Sequence, residues 1–319
     1  GITNADGTVK LPQTWDDVSR AADTITKKSN GSVYGLGFGN GQNFILAWWI
    51  ELFVRGAGAT GGASANDLRT GKWTYATDRA YMDFITLLLE WKKKGYFYPN
   101  SMSISDEEAR AFFERGKFGM TVGGVWNQAE WSQHNFTDYS LITLPSPDAT
   151  PKGYFYNSGG GTLFGLSPKS KHPDEAWAWF DWLHSLDAGK RWVQFNEDVS
   201  VFPQDNDPSL VKAKPFSQYI ATTKYSIFGP SASIRNPATS QVIQSPISPD
   251  INDVIAGIYT GQIGNIQSAL SDLAGRYQAA LDKGIQQAQQ QGLKVSFSDF
   301  VFPDWDPTKP YAAQQDKLS

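Results

Sequence analysis

The fold is decided by the stretch Ser105-Asp106-Glu107-Glu108-Ala109-Arg110-Ala111-Phe112-Phe113-Glu114-Arg115-Gly116-Lys117-Phe118-Gly119-Met120-Thr121-Val122-Gly123-Gly124-Val125-Trp126. It opens with a capping box in which the Ser105 hydroxyl and the Glu108 carboxylate each satisfy a backbone N–H that a helix start leaves unpaired. Phe112 and Phe113 anchor that helix. Gly116 stops it, because glycine accepts the left-handed conformation just past a helix end. The β-prone run 118–122 follows at once, then a glycine pair and a tryptophan. Helix, tight turn and strand in such quick succession predict an α/β architecture.

The same grammar extends in both directions. Thr14-Trp15-Asp16-Asp17 is a second capping pattern, ahead of an apolar face of Val18, Ala21, Ala22 and Ile25. Helices are predicted over 44–54, stopped by Gly56, and from Thr77 to Gly95 with Phe84, Leu87, Leu88 and Trp91 inward. Further strands are predicted over 33–38, 139–144 and 162–166. A helix over 174–186 carries Trp177, Phe180 and Leu183 on one face and Trp179, Trp182 and Leu186 on another. Apolar residues nearly all round a helix predict burial on more than one side. Residues 227–250 read as ordered loop, 251–259 and 266–290 as helices, and the proline-rich tail 300–311 as an extended strap.

Composition narrows the function. A chain of 319 residues suits two lobes better than one small core. With 28 Lys and Arg against 32 Asp and Glu, the net charge of −4 argues against a surface that tracks phosphates. No run of about 18 apolar residues offers a membrane span. The absence of cysteine removes disulfides, thiolate metal sites and cysteine nucleophiles, and fits an exported bacterial protein. Aromatic residues make up 14% of the chain, more rings than a core of this size calls for.

Catalytic patterns are sparse. His134, His172 and His184 are scattered and suggest no metal site, and neither a serine-hydrolase elbow nor a Walker loop occurs. Gly56-Ala57-Gly58-Ala59-Thr60-Gly61 matches a dinucleotide fingerprint literally, but a helix precedes it where the mechanism needs a strand, so it reads as a glycine loop. Asp16, Asp17, Asp78, Asp106, Glu107, Glu108, Asp174 and Glu175 sit where helix starts favour negative charge. Glu51 is the odd acid, set in an aromatic helix. It is either a buried structural partner or one of the two carboxylates of a glycan hydrolase.

Rings next to neutral polar groups suit a sugar, whose C–H faces stack on indole or phenol and whose hydroxyls need amide or guanidinium partners. The candidate ligand-binding residues are Gln42, Asn43, Phe44, Trp48, Trp126, Asn157, Gly159, Gly160, Gly161 and Arg235. Trp126 stands out, because a tryptophan between a strand end and a helix start points at a crevice. No catalytic residue, metal ligand or cofactor is assigned.

In these segments the chain resembles the family 1 extracellular solute-binding proteins of ABC importers, the maltose-binding-protein-like group. Four stretches carry the likeness, in the family's order. They are Leu11 to Asp17; Ala111 to Met120 with Gly124-Val125-Trp126; Gly159 to Leu166 before Ser170 to Trp177; and Ile255-Ala256-Gly257 to Ala269-Leu270. The resemblance implies a type II periplasmic-binding-protein-like α/β fold of two lobes, the first incomplete because the family's opening stretch has no counterpart. Residues 1–150 would begin the second lobe, 151–207 would be the crossover and remnant of the first, and 208–319 would complete the second with a tail. The implied function is extracytoplasmic carbohydrate binding, periplasmic or lipid-anchored. The implied partners are a mono- or oligosaccharide and the permease subunits of an ABC transporter, with no nucleic acid and no membrane span, the full-length protein being a monomer. In that family a tryptophan at the Trp126 position stacks on a sugar ring. A glycan hydrolase using Glu51 and a ligand-free interaction module are the alternatives.

Overall fold

The computed structural model describes residues 2–42, 44–62, 65–158 and 164–311, without the side chains of 157 and 158. In chain order these residues form α1 (Trp15–Lys28), β1 (Tyr34–Leu36), α2 (Ile45–Gly56), α3 (Arg79–Lys93), α4 (Asp106–Glu114), β2 (Phe118–Met120), α5 (Val125–Gln133), β3 (Phe155–Ser158), α6 (Pro173–Leu183), α7 (Leu186–Gln194), α8 (Lys214–Thr222), β4 (Ser226–Gly229), α9 (Ala232–Arg235), α10 (Ile251–Thr260) and α11 (Ile266–Gln290). Both capping boxes form. The Thr14 hydroxyl accepts from the Asp17 N–H at 3.1 Å, and the Ser105 hydroxyl accepts from the Glu108 N–H at 3.1 Å.

The chain divides into two units: Gly1–Val122, Leu144–Gly160 and Tyr225–Ser319 make the first, and Gly123–Thr143 with Gly161–Lys224 the second. In the first, β1 pairs in parallel with β2, Tyr34 opposite Phe118 and Leu36 opposite Met120, and Leu36 also bridges to Phe97. A Cβ at Gly35 would run into the backbone of Ala22, so only glycine lets β1 lie this close against α1. Helix α2 packs against both α3 and α10. Its Trp49, Ile50, Phe53 and Val54 are buried, and the Phe53 and Phe84 rings stack at 4.6 Å. Trp15 lies 5.1 Å from Phe84, Trp91 5.9 Å from it, and Phe97 links Trp91 to Tyr259. Such ring pairs add about 0.5–1.5 kcal/mol each beyond the area they bury.

A second parallel pair, β3 with β4, sets Phe155 opposite Ser226 and Ser158 opposite Gly229. The tail closes over it as a strap. Phe302, Trp305 and Tyr311 are buried with Leu68, Tyr156 and Ile227, and the Tyr311 N–H donates to the Phe228 carbonyl at 2.9 Å.

The second unit is built differently. Its buried apolar cluster is Val193, Phe216 and Ile220, edged by Val125 and Tyr219 among others, and Trp131, Phe136 and Tyr139 form a separate ring group.

Several predicted boundaries move. Residues 139–144 and the described part of 162–166 are not strands, whereas 155–158 and 226–229 are. The helix predicted over 174–186 breaks into α6 and α7, because the Ser185 hydroxyl accepts from the Ala188 N–H at 3.2 Å and so starts a new helix.

A candidate ligand-binding site

The loop leaving β1, Gly37 to Gln42, is held at both ends. The Gly37 N–H donates to the Met120 carbonyl at 3.0 Å, the Thr121 hydroxyl donates to the Gly37 carbonyl at 2.8 Å, and the Asn40 N–H reaches the Ser101 carbonyl at 3.0 Å. Loops at the carboxyl ends of parallel strands are where open α/β sheets bind ligands. Gln42 donates from its amide to the Glu107 carboxylate at 3.4 Å, joining this loop to the first turn of α4. Phe44, at the start of α2, is 55% exposed and gives that helix no side-chain cap. Trp48 is half-buried and stacks on the buried Trp49 at 4.8 Å. Asn43 lies outside the described residues.

Sequence reasoning passed over Asn40. It is 2% exposed, and neither polar atom of its amide has a partner among the described residues. The signal was present as an amide between Gly39 and Gly41. Both flanking glycines sit tight against the backbone of 104–106, which a Cβ at either would strike.

In the second unit Trp126 occupies the first turn of α5, capped by Gly124, and is 43% exposed. Its indole folds back over Gly124, where a Cβ would collide with the ring. The Asn127 carboxamide accepts from the Gly124 N–H at 3.4 Å, closing the cap. The ring thus rests on the helix start and stays partly exposed. The Tyr139 phenol of this unit is pushed up to about 12 by burial.

Asn157 aligns with Phe228 in the β3–β4 ladder, and Gly159, Gly160 and Gly161 lie outside the described residues. Arg235 is engaged with the strap. Its Nη1 donates to the Val301 carbonyl at 2.6 Å, its Nη2 faces the Tyr311 hydroxyl at 3.4 Å, and its guanidinium lies 3.6 Å over the Phe302 ring.

Glu51 pairs with Arg55 one turn along α2, their side chains 13% and 8% exposed. The Arg55 guanidinium also lies 3.9 Å over the Tyr156 ring and 5.4 Å from Phe155, while its Nε and Nη1 have no hydrogen-bond partner among the described residues. The glycine loop after α2 completes this cluster: Tyr156 donates to the Thr60 carbonyl at 2.5 Å and Tyr81 to the Gly61 carbonyl at 3.1 Å. Burial raises both phenols above their ordinary range. The pairing with Arg55 accounts for an acid in an aromatic helix, and a helix, not a strand, enters the glycine loop. Among the described residues no group of three or more His, Asp or Glu side chains could hold a metal ion, and no helix is long and apolar enough to cross a membrane.

The family model of bacterial extracellular solute-binding proteins matches residues 1–190. The sugar-binding protein MalE of Xanthomonas citri shares the fold at a TM-score of 0.61 and 14% identity, over 88% of this chain and 66% of that one. The apo form of RafE from Streptococcus pneumoniae matches at 0.55 and 19%, over 85% and 66%. A sugar transporter of Bacillus licheniformis, solved in complex with stachyose, matches at 0.53 and 15%, over 86% and 76%. The chain therefore spans roughly two thirds to three quarters of the length of these solved proteins, whose two-lobed type II periplasmic-binding-protein fold it shares. By that match and that fold, the chain belongs to the bacterial extracellular solute-binding protein family.

Proposed function

We propose that the protein is the carbohydrate-binding component of an ABC importer and transforms nothing: it grips a mono- or oligosaccharide in an inter-lobe cleft by ring stacking and hydrogen bonds. The observation that carries the reading is Trp126, an indole fixed over a glycine at a helix start with nearly half its surface open. A flat apolar ring that is held at a helix start and partly exposed suits the C–H face of a pyranose. Gln42, Asn43, Phe44, Trp48, Asn157, Arg235 and the turn at residues 159–161 supply the remaining contacts. Residues 1–150 and 208–319 belong to the second lobe and 151–207 to the crossover and the remnant of the first. Support comes from solved relatives whose descriptions name raffinose, stachyose and tagatose as bound sugars. The protein works outside the cytoplasmic membrane, in the periplasm or lipid-anchored, as a monomer. Permease subunits recognise its closed state, which the ligand favours because it binds that state more tightly.

Calorimetric titration with raffinose, stachyose, maltotriose and tagatose tests the reading. At least one is expected to bind, and Trp126→Ala is expected to weaken that binding at least tenfold while leaving the melting temperature within about a degree. A variant that binds as well as the parent removes Trp126 from the site, and a variant that unfolds makes it a packing residue.

A further inference from the structure

Strands β3 and β4 are each four residues long and pair in parallel, and a two-stranded sheet of that size is marginal by itself. The chain leaves the first unit after Gly160 and returns at Tyr225, so this weak pair carries it out to the second unit and back. One face of the pair, Tyr156 and Ile227 opposite each other in register, packs on the strap, whereas Phe155 and Phe228 are exposed. Residues 301–311 of the strap form no helix or strand, yet they bond on both sides of the pair. The Tyr154 N–H, just ahead of β3, donates to the Pro307 carbonyl at 2.9 Å, and the Tyr311 N–H donates to the Phe228 carbonyl of β4 at 2.9 Å. Tyr156 is gripped from two directions, by the Arg55 guanidinium over its ring and by the Trp305 ring edge-on at 4.8 Å. The buried cluster of Phe302, Trp305 and Tyr311 is separate from the main one, on which Phe297 and Phe300, just before the strap, do pack. The root of the strap is thus seated in the main core and the strap itself is not.

From this arrangement we propose that the strap is a releasable clamp: residues 301–311 and the β3–β4 pair form one cooperative unit that opens together while the α2–α3 core stays closed. A segment with few buried apolar neighbours and its own small cluster opens at a lower free energy than the main core. Lifting Trp305 uncovers Tyr156 and Ile227 at once, and losing Tyr311 frees the Phe228 carbonyl, so neither strand keeps its support when the strap leaves. One event therefore loosens both of these connections to the second unit. The proposal rests on packing and hydrogen bonds within the first unit and stands apart from the sugar reading.

Amide hydrogen exchange of the 319-residue chain, followed by mass spectrometry of peptides covering 154–158, 226–229, 302–311 and, in α3, 80–91, tests it. The first three are expected to share one opening constant, at least about tenfold larger than that of 80–91. Trp305→Ala should speed exchange in all three by a common factor of at least about ten and leave 80–91 unchanged, and Trp305→Phe, which keeps a ring against Tyr156, should do so less. Strap amides that exchange freely while 154–158 and 226–229 stay slow would make the strap a loose tail and overturn the proposal. Exchange of all three only together with 80–91 would make the strap part of the main core and overturn it too. A Trp305→Ala chain that speeds the strap alone, or that also loses the protection of 80–91, counts against a separate clamp in the same way.

Discussion

The two units spend the same residue type in opposite ways. In the first, Trp15, Trp49, Trp73, Trp91 and Trp305 are all at most 7% exposed and meet other rings or buried helices, and Trp48 is half-buried. In the second, Trp126, Trp177, Trp179, Trp182 and Trp192 are all at least 43% exposed, and Trp131 alone of that unit's tryptophans is buried. Tryptophan count therefore says little about the size of a core. What matters is whether helices of complementary shape converge on the rings, as α2 and α3 do around Phe53 and Phe84.

The sharpest way to break this comparison is to truncate one ring in each unit. Phe84→Ala removes a side chain that is 1% exposed and touches the Trp15, Phe53 and Trp91 rings, and should cost about 3–5 kcal/mol, the cavity term included. Trp179→Ala in the same 319-residue chain removes a ring that is mostly in water and should fall within about 0.5 kcal/mol of the parent. Urea unfolding of both variants checks the pair. Equal losses would mean that the two units use their tryptophans alike after all.

A smaller effect separates two kinds of burial inside the first unit. Arg55→Met leaves the Glu51 carboxylate enclosed without its cation, and breaking such a pair typically costs about 3–5 kcal/mol, here reduced because Glu51 keeps some contact with solvent. Replacing both residues, Glu51→Leu with Arg55→Met, should recover most of that loss, because the desolvation of two charges disappears with them. A double variant no better than the single one would show that the ion pair itself, with the Tyr156 ring beneath it, holds β3 against α2.

Local signals explain what could be read from the chain and what could not. The helices with capping boxes were legible because Thr14 and Ser105 satisfy their own turns, a matter of four residues. Helix α11 was legible because Leu270, Leu273, Tyr277 and Leu281 repeat at helical spacing and are buried in that order. The pair β3–β4 was not, because its partners lie some seventy positions apart and each strand is four residues long with polar members. Among the candidate residues, the placement of Trp126 in the first turn of a helix follows from a short strand–glycine–helix motif. The engagement of Arg235 with Val301 and Phe302 depends on a tail more than sixty residues away, which no pattern near Arg235 announces.

A difference of about 1 kcal/mol turns on how each unit starts a helix. Asp17 is pushed up by burial, yet the Gln13 N–H, the Thr14 hydroxyl and N–H, and Arg20 outweigh that and hold its carboxyl down at about 2. A folded value below the ordinary 3.8 means stability that is fully present above that pH and is lost as the pH falls toward 2. Helix α7 of the second unit starts on the Ser185 hydroxyl, which does not titrate in this range. Acidification from pH 5 to 2.5 should therefore loosen α1 by about 1 kcal/mol, the usual worth of such a cap, through this group. Asp17→Asn should be weaker than the parent at pH 5 and lose less than the parent on going to pH 2.5. Urea midpoints at the two pH values, followed by far-ultraviolet circular dichroism, measure the difference. Identical losses in parent and variant would place the acid sensitivity of the first unit in its other carboxylates and leave the α1 cap to its hydroxyl alone.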